Sequence, residues 1–361
     1  MNGFPSVGDR GLLADRATPL LVLDEKVMLE NVAAMAAIGR DNGVGLRPHA
    51  KAHKSPEIAR AQLAAGAVGI TVATLAEAEV MVAAGVESIL IANQMVGPAA
   101  LDRLANLCQR TPVMVLVDCA QNVEDLAQAA VRRGSQVPIV VEIDVGMGRG
   151  GARSLTEAVA LVALVADMPG VTFAGIHGYE GHCSDVPDRT ERARATETAL
   201  EVLSAVTSRL AGEGMACGLV SAGSTGTCHE AARHRAVTEI QPGSYVFMDR
   251  FHDGLVDEFA HSLAVAATVI TRHGDLVVLD AGRKALGTDL GPPILPAGLD
   301  QVFLHEEHLG ARDTTGKVAL GDRLLVVPGY APSSVNLFGH YTVLTVDGEV
   351  DRWDVRARHE T

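Results

Sequence analysis

This chain carries few signs of a polyanionic partner, a membrane or an oxidising compartment. No long basic stretch offsets a formal net charge of −14, which argues against a nucleic-acid or acidic-membrane partner. Its five cysteines, Cys108, Cys119, Cys183, Cys217 and Cys228, form no Cys-x-x-Cys pair, so no zinc ribbon is encoded. The odd cysteine count, with no signal peptide, reads as reduced thiols. Residues 1–16 have neither a basic start nor an apolar run, and no later segment reaches about 18 uninterrupted apolar residues. A soluble, cytoplasmic protein is expected. Internal repeats and low-complexity linkers are also missing.

What is present is apolar and periodic. With 361 residues, 48% of them hydrophobic, the chain can bury a large core and suits one barrel plus a smaller domain. Short β-branched runs at 44–46, 69–73, 89–92, 113–117, 139–143, 171–176, 218–221 and 238–240 alternate with Ala-rich helical stretches such as 75–84 and 155–165. Strands apolar on both faces, with helices between them, predict a parallel sheet covered by helices, and eight such units predict a closed (β/α)8 barrel. An earlier strand at 20–23 precedes a helix at 24–38, with Asp24 as its expected N-cap. After about residue 259 the helices give way to strand-like runs at 263–271, 276–279, 324–327 and 341–346. Asp347-Gly348 is a hairpin signal there, since both residues tolerate positive φ. The Gly/Pro-rich stretch 286–300 is expected to be a long loop.

The densest chemistry lies in Arg47-Pro48-His49-Ala50-Lys51-Ala52-His53-Lys54, which crowds three bases and two histidines at the end of an apolar strand. A surface basic loop has the same composition. Its place between a strand and the helical run 56–65 is where α/β barrels put their chemistry, and crowding by cations together with desolvation lowers a lysine's pKa, as Schiff-base chemistry requires. Gly146-Met147-Gly148-Arg149-Gly150-Gly151 satisfies Gly-x-Gly-x-x-Gly. A dinucleotide fingerprint opens the first βα unit, however, and here several units come before it and an arginine sits inside the turn. Ser221-Ala222-Gly223-Ser224-Thr225-Gly226-Thr227 supplies hydroxyls and approachable amides suited to a phosphate, or is a plain small-residue turn. His177-Gly178-Tyr179-Glu180-Gly181-His182 offers an aromatic face between two histidines, each as readily structural as catalytic.

These strings together resemble the fold-type III pyridoxal-phosphate enzymes, the alanine racemase-type barrels, and specifically their D-threonine aldolase and D-serine dehydratase branch. The likeness runs from Thr18-Pro19-Leu20 to about Asn336-Leu337, and the Arg-Pro-His-x-Lys-x-His-Lys string is specific to the branch. It implies an alanine racemase-type (β/α)8 TIM barrel over residues 18–260 and a C-terminal antiparallel β-domain over 261–361, joined by residues 1–17. It also implies a Schiff base of pyridoxal 5'-phosphate on Lys51, with Arg149 against the cofactor's phenolic oxygen and Tyr179 as a neighbour. Gly223, Thr225, Gly226 and Thr227 would hold its phosphate, and Tyr245, in Gln241-Pro242-Gly243-Ser244-Tyr245, is a further cofactor contact. Asp280-Ala281-Gly282-Arg283-Lys284-Ala285 and Glu306-Glu307-His308 match family landmarks without assigned roles. The family's dimeric habit implies a homodimer, and its substrates a small amino acid.

One departure stands out. The branch holds a divalent metal through a His-x-Asp or His-x-Cys pair before Val-Asn-Leu, whereas this chain reads Pro328-Gly329-Tyr330-Ala331-Pro332-Ser333-Ser334-Val335-Asn336-Leu337. Proline offers no side-chain ligand and a neutral phenol is a poor one, so the usual metal site is expected to be absent. Spacing does not support His308 or His340 as replacements. The expected activity is cleavage or elimination of a D-3-hydroxy amino acid without that metal. The alternative is a racemase with Lys51 and Tyr330 as two bases, and a second alternative is a non-catalytic cofactor carrier. The chain does not encode a choice of substrate side chain in any legible way, since Arg47, Arg283 and His182 each stand as candidates to meet a second carboxylate.

Overall fold

The computed structural model describes Leu13 and residues 15–358. Of the segment 1–17 assigned above to the β-domain, residues 1–12 and 14 lie outside the described residues, as do 359–361. The chain forms two compact units. One takes the described chain up to Ala34, Ala52–Glu57 and everything from Ser244, and the other takes Met35–Lys51 and Ile58–Gly243.

The chain enters through β1 (Leu20–Asp24) and α1 (Glu25–Asn42). Asp24 caps this helix as expected, its carboxylate accepting the Val27 amide at 3.0 Å. The barrel unit then runs β2 (Gly45–Leu46), α2 (Pro56–Ala64), β3 (Ile70–Val72), α3 (Leu75–Ala83), β4 (Ile89–Gln94), α4 (Pro98–Cys108), β5 (Val113–Val117), α5 (Ala120–Arg133) and β6 (Val137–Glu142). It continues through α6 (Leu155–Asp167), β7 (Val171–His177), α7 (Arg189–Gly212), β8 (Val220–Ala222), α8 (Cys228–Arg233) and β9 (Glu239–Ile240). All eight expected barrel strands form, pairing in parallel in the order β2-β9-β8-β7-β6-β5-β4-β3. Local chemistry sets the helix starts: Thr74, Ser154 and Asp188 accept the amides of Glu77, Glu157 and Glu191 at 3.2, 3.2 and 2.9 Å. Helix α5 shows the pattern that seats such helices, burying Val123, Leu126, Ala127 and Ala130 along one stripe. Leu90, Leu116 and Val140, from three successive strands, form one apolar cluster with Met114, Ala174 and Leu219.

The seam of the barrel lies beside the basic string. Strand β2 gives only two residues, pairing Gly45 and Leu46 with Glu239 and Ile240 of β9. Towards β3 the edge is joined by a His49–Thr71 bridge and by amide bonds from Val68 to Leu46 (2.8 Å) and Thr71 to Pro48 (2.9 Å). Inside the seam, the buried Arg47 donates from Nε to both oxygens of Glu239 at 2.9 Å and from Nη1 to Ser88 at 2.7 Å. The Ser221 hydroxyl is a second donor to Glu239 at 2.6 Å. A buried charge pair survives when its remaining lone pairs are met in this way.

The other unit holds β10 (Leu263–His273), β11 (Leu276–Leu279), β12 (Leu299–Leu304), β13 (Leu309–Asp313), β14 (Arg323–Val326), α9 (Ala331–Leu337), β15 (His340–Leu344) and β16 (Val350–Asp354). Its sheet runs β12-β13-β11-β10-β1-β15-β16, with β14 also on β10. Strand β1 lies antiparallel to β10 and parallel to β15, and every other pair in this sheet is antiparallel. Leu21, Leu23, Leu263, Val265, Tyr341 and Val343 are buried here. Strands β12 and β13 and helix α9 were not foreseen. Strand β12 is mostly exposed and lacks apolar alternation, which is why only the loop character of its approach was legible. The Asp347-Gly348 hairpin forms with a five-residue loop, Leu344 facing Val350, and only Gly348 takes a positive φ (79°). Among the described residues, no helix is long and apolar enough to cross a membrane.

Candidate active site

Parallel strands end at one mouth of a barrel, so residues that follow β2, β6, β7 and β8 are brought together although they are far apart in sequence. Lys51, Arg149, Tyr179 and the 223–227 loop follow those four strands. Lys51 and Arg149 meet at the Tyr179 ring: Lys51 Nζ lies 5.4 Å from its centroid and Arg149 Cζ 5.3 Å. The ring can lie where it does because the next residue but one is Gly181, where a Cβ would collide with it.

The Lys51 amine is pushed down to about 8, first by burial and then by the Arg149 cation, with Glu77 acting against both. The lowered pKa expected from desolvation and neighbouring cations is therefore present, but the cation is Arg149 rather than the bases that flank Lys51 in the chain. Arg47 is turned into the barrel seam towards Glu239, and Lys54 donates to the Ala357 carbonyl at 3.3 Å, in the other unit from Lys51. This geometry also removes Arg47 as a candidate for a substrate carboxylate.

Arg149 stands on a loop organised by acids that sequence reading passed over. Asp144 accepts the Gly146 and Gly148 amides at 3.0 and 2.9 Å, and these loop amides, Gly148 first, hold its carboxyl below the usual range. Asp118 accepts the Gly151 amide at 3.2 Å. Glu142, at the end of β6, bonds to Gln94 and lies 3.7 Å from the Arg149 guanidinium. Burial pushes its carboxyl up, against the pull of Gln94 and Arg149. Behind it the buried His177 is driven down to about 3 by desolvation, then by Arg149 and Lys51, so it is neutral across the working range. The signal for these acids was a carboxylate at or just after the end of an apolar strand, beside a glycine-rich turn.

The 223–227 loop is held from below by Glu180, which is fully buried. Its carboxylate accepts the Gly223 amide at 3.1 Å and the Thr227 hydroxyl, while Thr227 Oγ1 accepts the Ser224 amide at 2.9 Å. Gly223 has a φ of +87°, which a side chain rarely adopts. Burial raises the Glu180 carboxyl, opposed by the Thr227 and Gly223 bonds.

Tyr245 and Tyr330 belong to the other unit. Tyr245 is buried, its ring 5.6 Å from that of Phe259. Tyr330 precedes α9 and stacks on His252 at 6.2 Å, and His252 Nδ1 is 2.7 Å from the buried Asp249 carboxylate. Asp249 also accepts the Ala331 amide at 2.8 Å. The two landmark strings meet in that unit: the Arg283 and Lys284 amides donate to His305 and Glu306 at 2.9 and 3.0 Å, and Lys284 pairs with Glu307 at 2.9 Å.

Pyridoxal phosphate suits the barrel mouth, which offers an amine of lowered pKa, a guanidinium, an aromatic face and a hydroxyl-rich loop. Among the described residues, one group of three His, Cys, Asp or Glu side chains is close enough to share an ion: Glu197, Glu201 and His234. The Ala236 amide donates to His234 Nδ1 at 3.4 Å, which leaves the ring proton on Nε2, the atom facing those carboxylates at 3.9 and 3.8 Å. Arg235 already donates to both oxygens of Glu201. One of the three side chains is thus already engaged in an ion pair, Arg235–Glu201 at 2.9 Å.

Comparison with known proteins fits the same picture. Residues 23–251 match the family model for the alanine racemase N-terminal domain, and residues 262–344 match that for a putative serine dehydratase domain. A D-threonine aldolase from an Arthrobacter species is 40% identical over 96% of this chain and 94% of its own length. The crystal structure of D-threonine aldolase from Filomicrobium marinum superposes with a TM-score of 0.92 at 34% identity, covering 99% of both chains. The D-threo-3-hydroxyaspartate dehydratase from Delftia sp. HT23 follows at 0.89 and 28% identity, over 97% of this chain and all of that one.

Proposed function

Because this chain belongs to the fold-type III pyridoxal-phosphate family of alanine racemase-like lyases, we propose that it is a pyridoxal-phosphate-dependent aldolase or dehydratase of a D-3-hydroxy amino acid, working without the metal used by its branch. The observation that carries this reading is the Lys51 amine at the barrel mouth, held near a pKa of about 8 and sharing the Tyr179 ring with Arg149. Relatives similar along nearly the whole chain, named for aldol cleavage and dehydration of such substrates, support it.

In this reading Lys51 is the residue to which the cofactor bonds. Arg149 would meet the phenolic oxygen, Tyr179 would neighbour the cofactor, Gly223, Thr225, Gly226 and Thr227 would hold the phosphate, and Tyr245 would add a further contact. When bound, pyridoxal phosphate supplies an electron sink for the charge left at Cα. The Lys51 amine, whose pKa is lowered to about 8 in the cofactor-free protein, would be suited to take and return a proton close to neutral pH. Arg149 disfavours the ammonium form of Lys51 and, by the same field, would stabilise negative charge at the phenolic oxygen. His177, neutral and buried, adds no charge. A homodimer and a cytoplasmic setting belong to the same proposal, and light scattering of the purified protein tests the first.

Tyr330 and Pro332, at the positions where the branch carries metal ligands, favour one second reading, a racemase in which Lys51 and Tyr330 act as the two bases. Proton NMR in deuterated water separates the two. The cofactor-loaded protein plus chelator is incubated with D-threonine, D-serine, D-3-hydroxyaspartate and both alanine enantiomers. Glycine with an aldehyde, or an oxo acid with ammonia, establishes a metal-independent lyase. Deuterium at Cα with inversion and no bond cleavage makes the protein a racemase. No change in any substrate overturns both readings and leaves a cofactor carrier.

A further inference from the structure

The hydrogen bonds beneath the 223–227 loop have a direction. The one proton on the Thr227 hydroxyl goes to Glu180, so the Thr227 oxygen serves as the acceptor for the Ser224 amide and for the Ser224 hydroxyl, both at 2.9 Å. With its own proton committed, Ser224 Oγ accepts in turn from Ser184 Oγ at 3.0 Å. Glu180 also takes the Gly223 amide at 3.1 Å. The Gly223 amide, the Ser224 amide and the Thr227 hydroxyl, which look from the sequence like donors for an anion, are therefore all used inside the protein. A carboxylate is a costly group to bury at full depth, and these two donors are the compensation the fold provides for it.

We propose that Glu180 is the positioning residue of the phosphate loop: it draws Gly223 and Thr227 inward, makes Thr227 a strut rather than a phosphate ligand, and so fixes the shape of the loop that meets the anion. The proposal rests on the cofactor reading above and deepens it. It adds a residue with no direct contact to the ligand, and it takes one candidate ligand, the Thr227 side chain, away from the phosphate.

The test compares pyridoxal phosphate with pyridoxal, which has the same aldehyde and ring but no phosphate. Binding of each to the metal-free full chain is titrated by the absorbance change on reaction with Lys51, for the wild type, Glu180→Gln, Thr227→Val, Thr227→Ser and the Glu180→Gln/Thr227→Val double variant. If Glu180 acts through the loop, Glu180→Gln and Thr227→Val each weaken pyridoxal phosphate about tenfold and leave pyridoxal within about twofold. The double variant is then no weaker than the weaker single, because the two residues make one bond, and Thr227→Ser keeps wild-type affinity. Equal losses for both compounds would reveal a merely structural carboxylate and overturn the proposal. So would wild-type phosphate affinity in Glu180→Gln, or additive losses in the double variant. If Glu180→Gln does not fold, Thr227→Val, which preserves the residue's shape, decides the same comparison. A wild-type protein that binds neither compound at Lys51 overturns the cofactor reading itself, and this proposal with it.

Discussion

Replacing Arg149 with glutamine should raise the pKa of Lys51, by an amount that the structure bounds. Both cations lie over one ring, at 5.4 and 5.3 Å from its centroid, so they are no more than about 11 Å apart. At an effective dielectric constant of about 20, two unit charges at that separation repel by roughly 1.5 kcal/mol, which corresponds to about one pH unit. With Arg149 gone, Lys51 should titrate near 9 rather than near 8, since burial remains as the larger cause. At pH 7.5 the neutral amine then falls from about a quarter of the molecules to about a thirtieth, a loss of roughly eightfold in the reactive form. The assay is reductive methylation of the cofactor-free protein, with the rate at Lys51 read by peptide mass spectrometry as a function of pH. A midpoint unchanged or lowered in the variant would refute the electrostatic coupling. A wild-type midpoint near 10.5 would refute the role of burial as well.

Three further outcomes follow from the same geometry. Lys51→Ala should abolish both the yellow colour of the loaded protein and its turnover, and a coloured, active variant would remove Lys51 from the chemistry. Arg47→Met leaves Glu239 buried without its cation and should cost about 3–5 kcal/mol in urea denaturation, against which a loss under about 1 kcal/mol would show the seam pair to be dispensable. His177, driven to about 3, should show no imidazole titration by NMR between pH 5 and 8, and a midpoint in that range would contradict its burial beside Arg149 and Lys51.

The parts of this molecule that were legible in its sequence are those where one local signal suffices. Eight apolar runs became eight parallel strands because strands buried on both faces need no alternation to be recognised. The Lys51 string was legible because so many bases rarely follow a strand. Its neighbours were misread: Arg47 and Lys54 flank Lys51 in the chain, yet one is drawn into the barrel seam and the other bonds to Ala357. The acids that hold the site, Asp144, Glu142 and Glu180, were overlooked because a carboxylate in a loop looks solvated until the fold shows that its partners are backbone amides, a threonine or an arginine. Strands β12 and β13 carry too little apolar alternation to be recognised before their partners are known.

The pairing of β1 with β10 and β15 also bears on how the protein comes to be made. Leu21 and Leu23 find their antiparallel partners in Val265 and Leu263, and Leu23 finds its parallel partner in Val343. A ribosome delivers β1 roughly 240 residues before β10, and at typical elongation speeds that is a wait of about 10–50 seconds. Throughout that interval an apolar strand has both edges open, while the intervening barrel segments can already settle among themselves. A circular permutant that places residues 13–24 after the present C-terminus would shorten the wait, at the cost of separating Asp24 from the helix it caps. It should yield more soluble protein wherever chaperones are limiting.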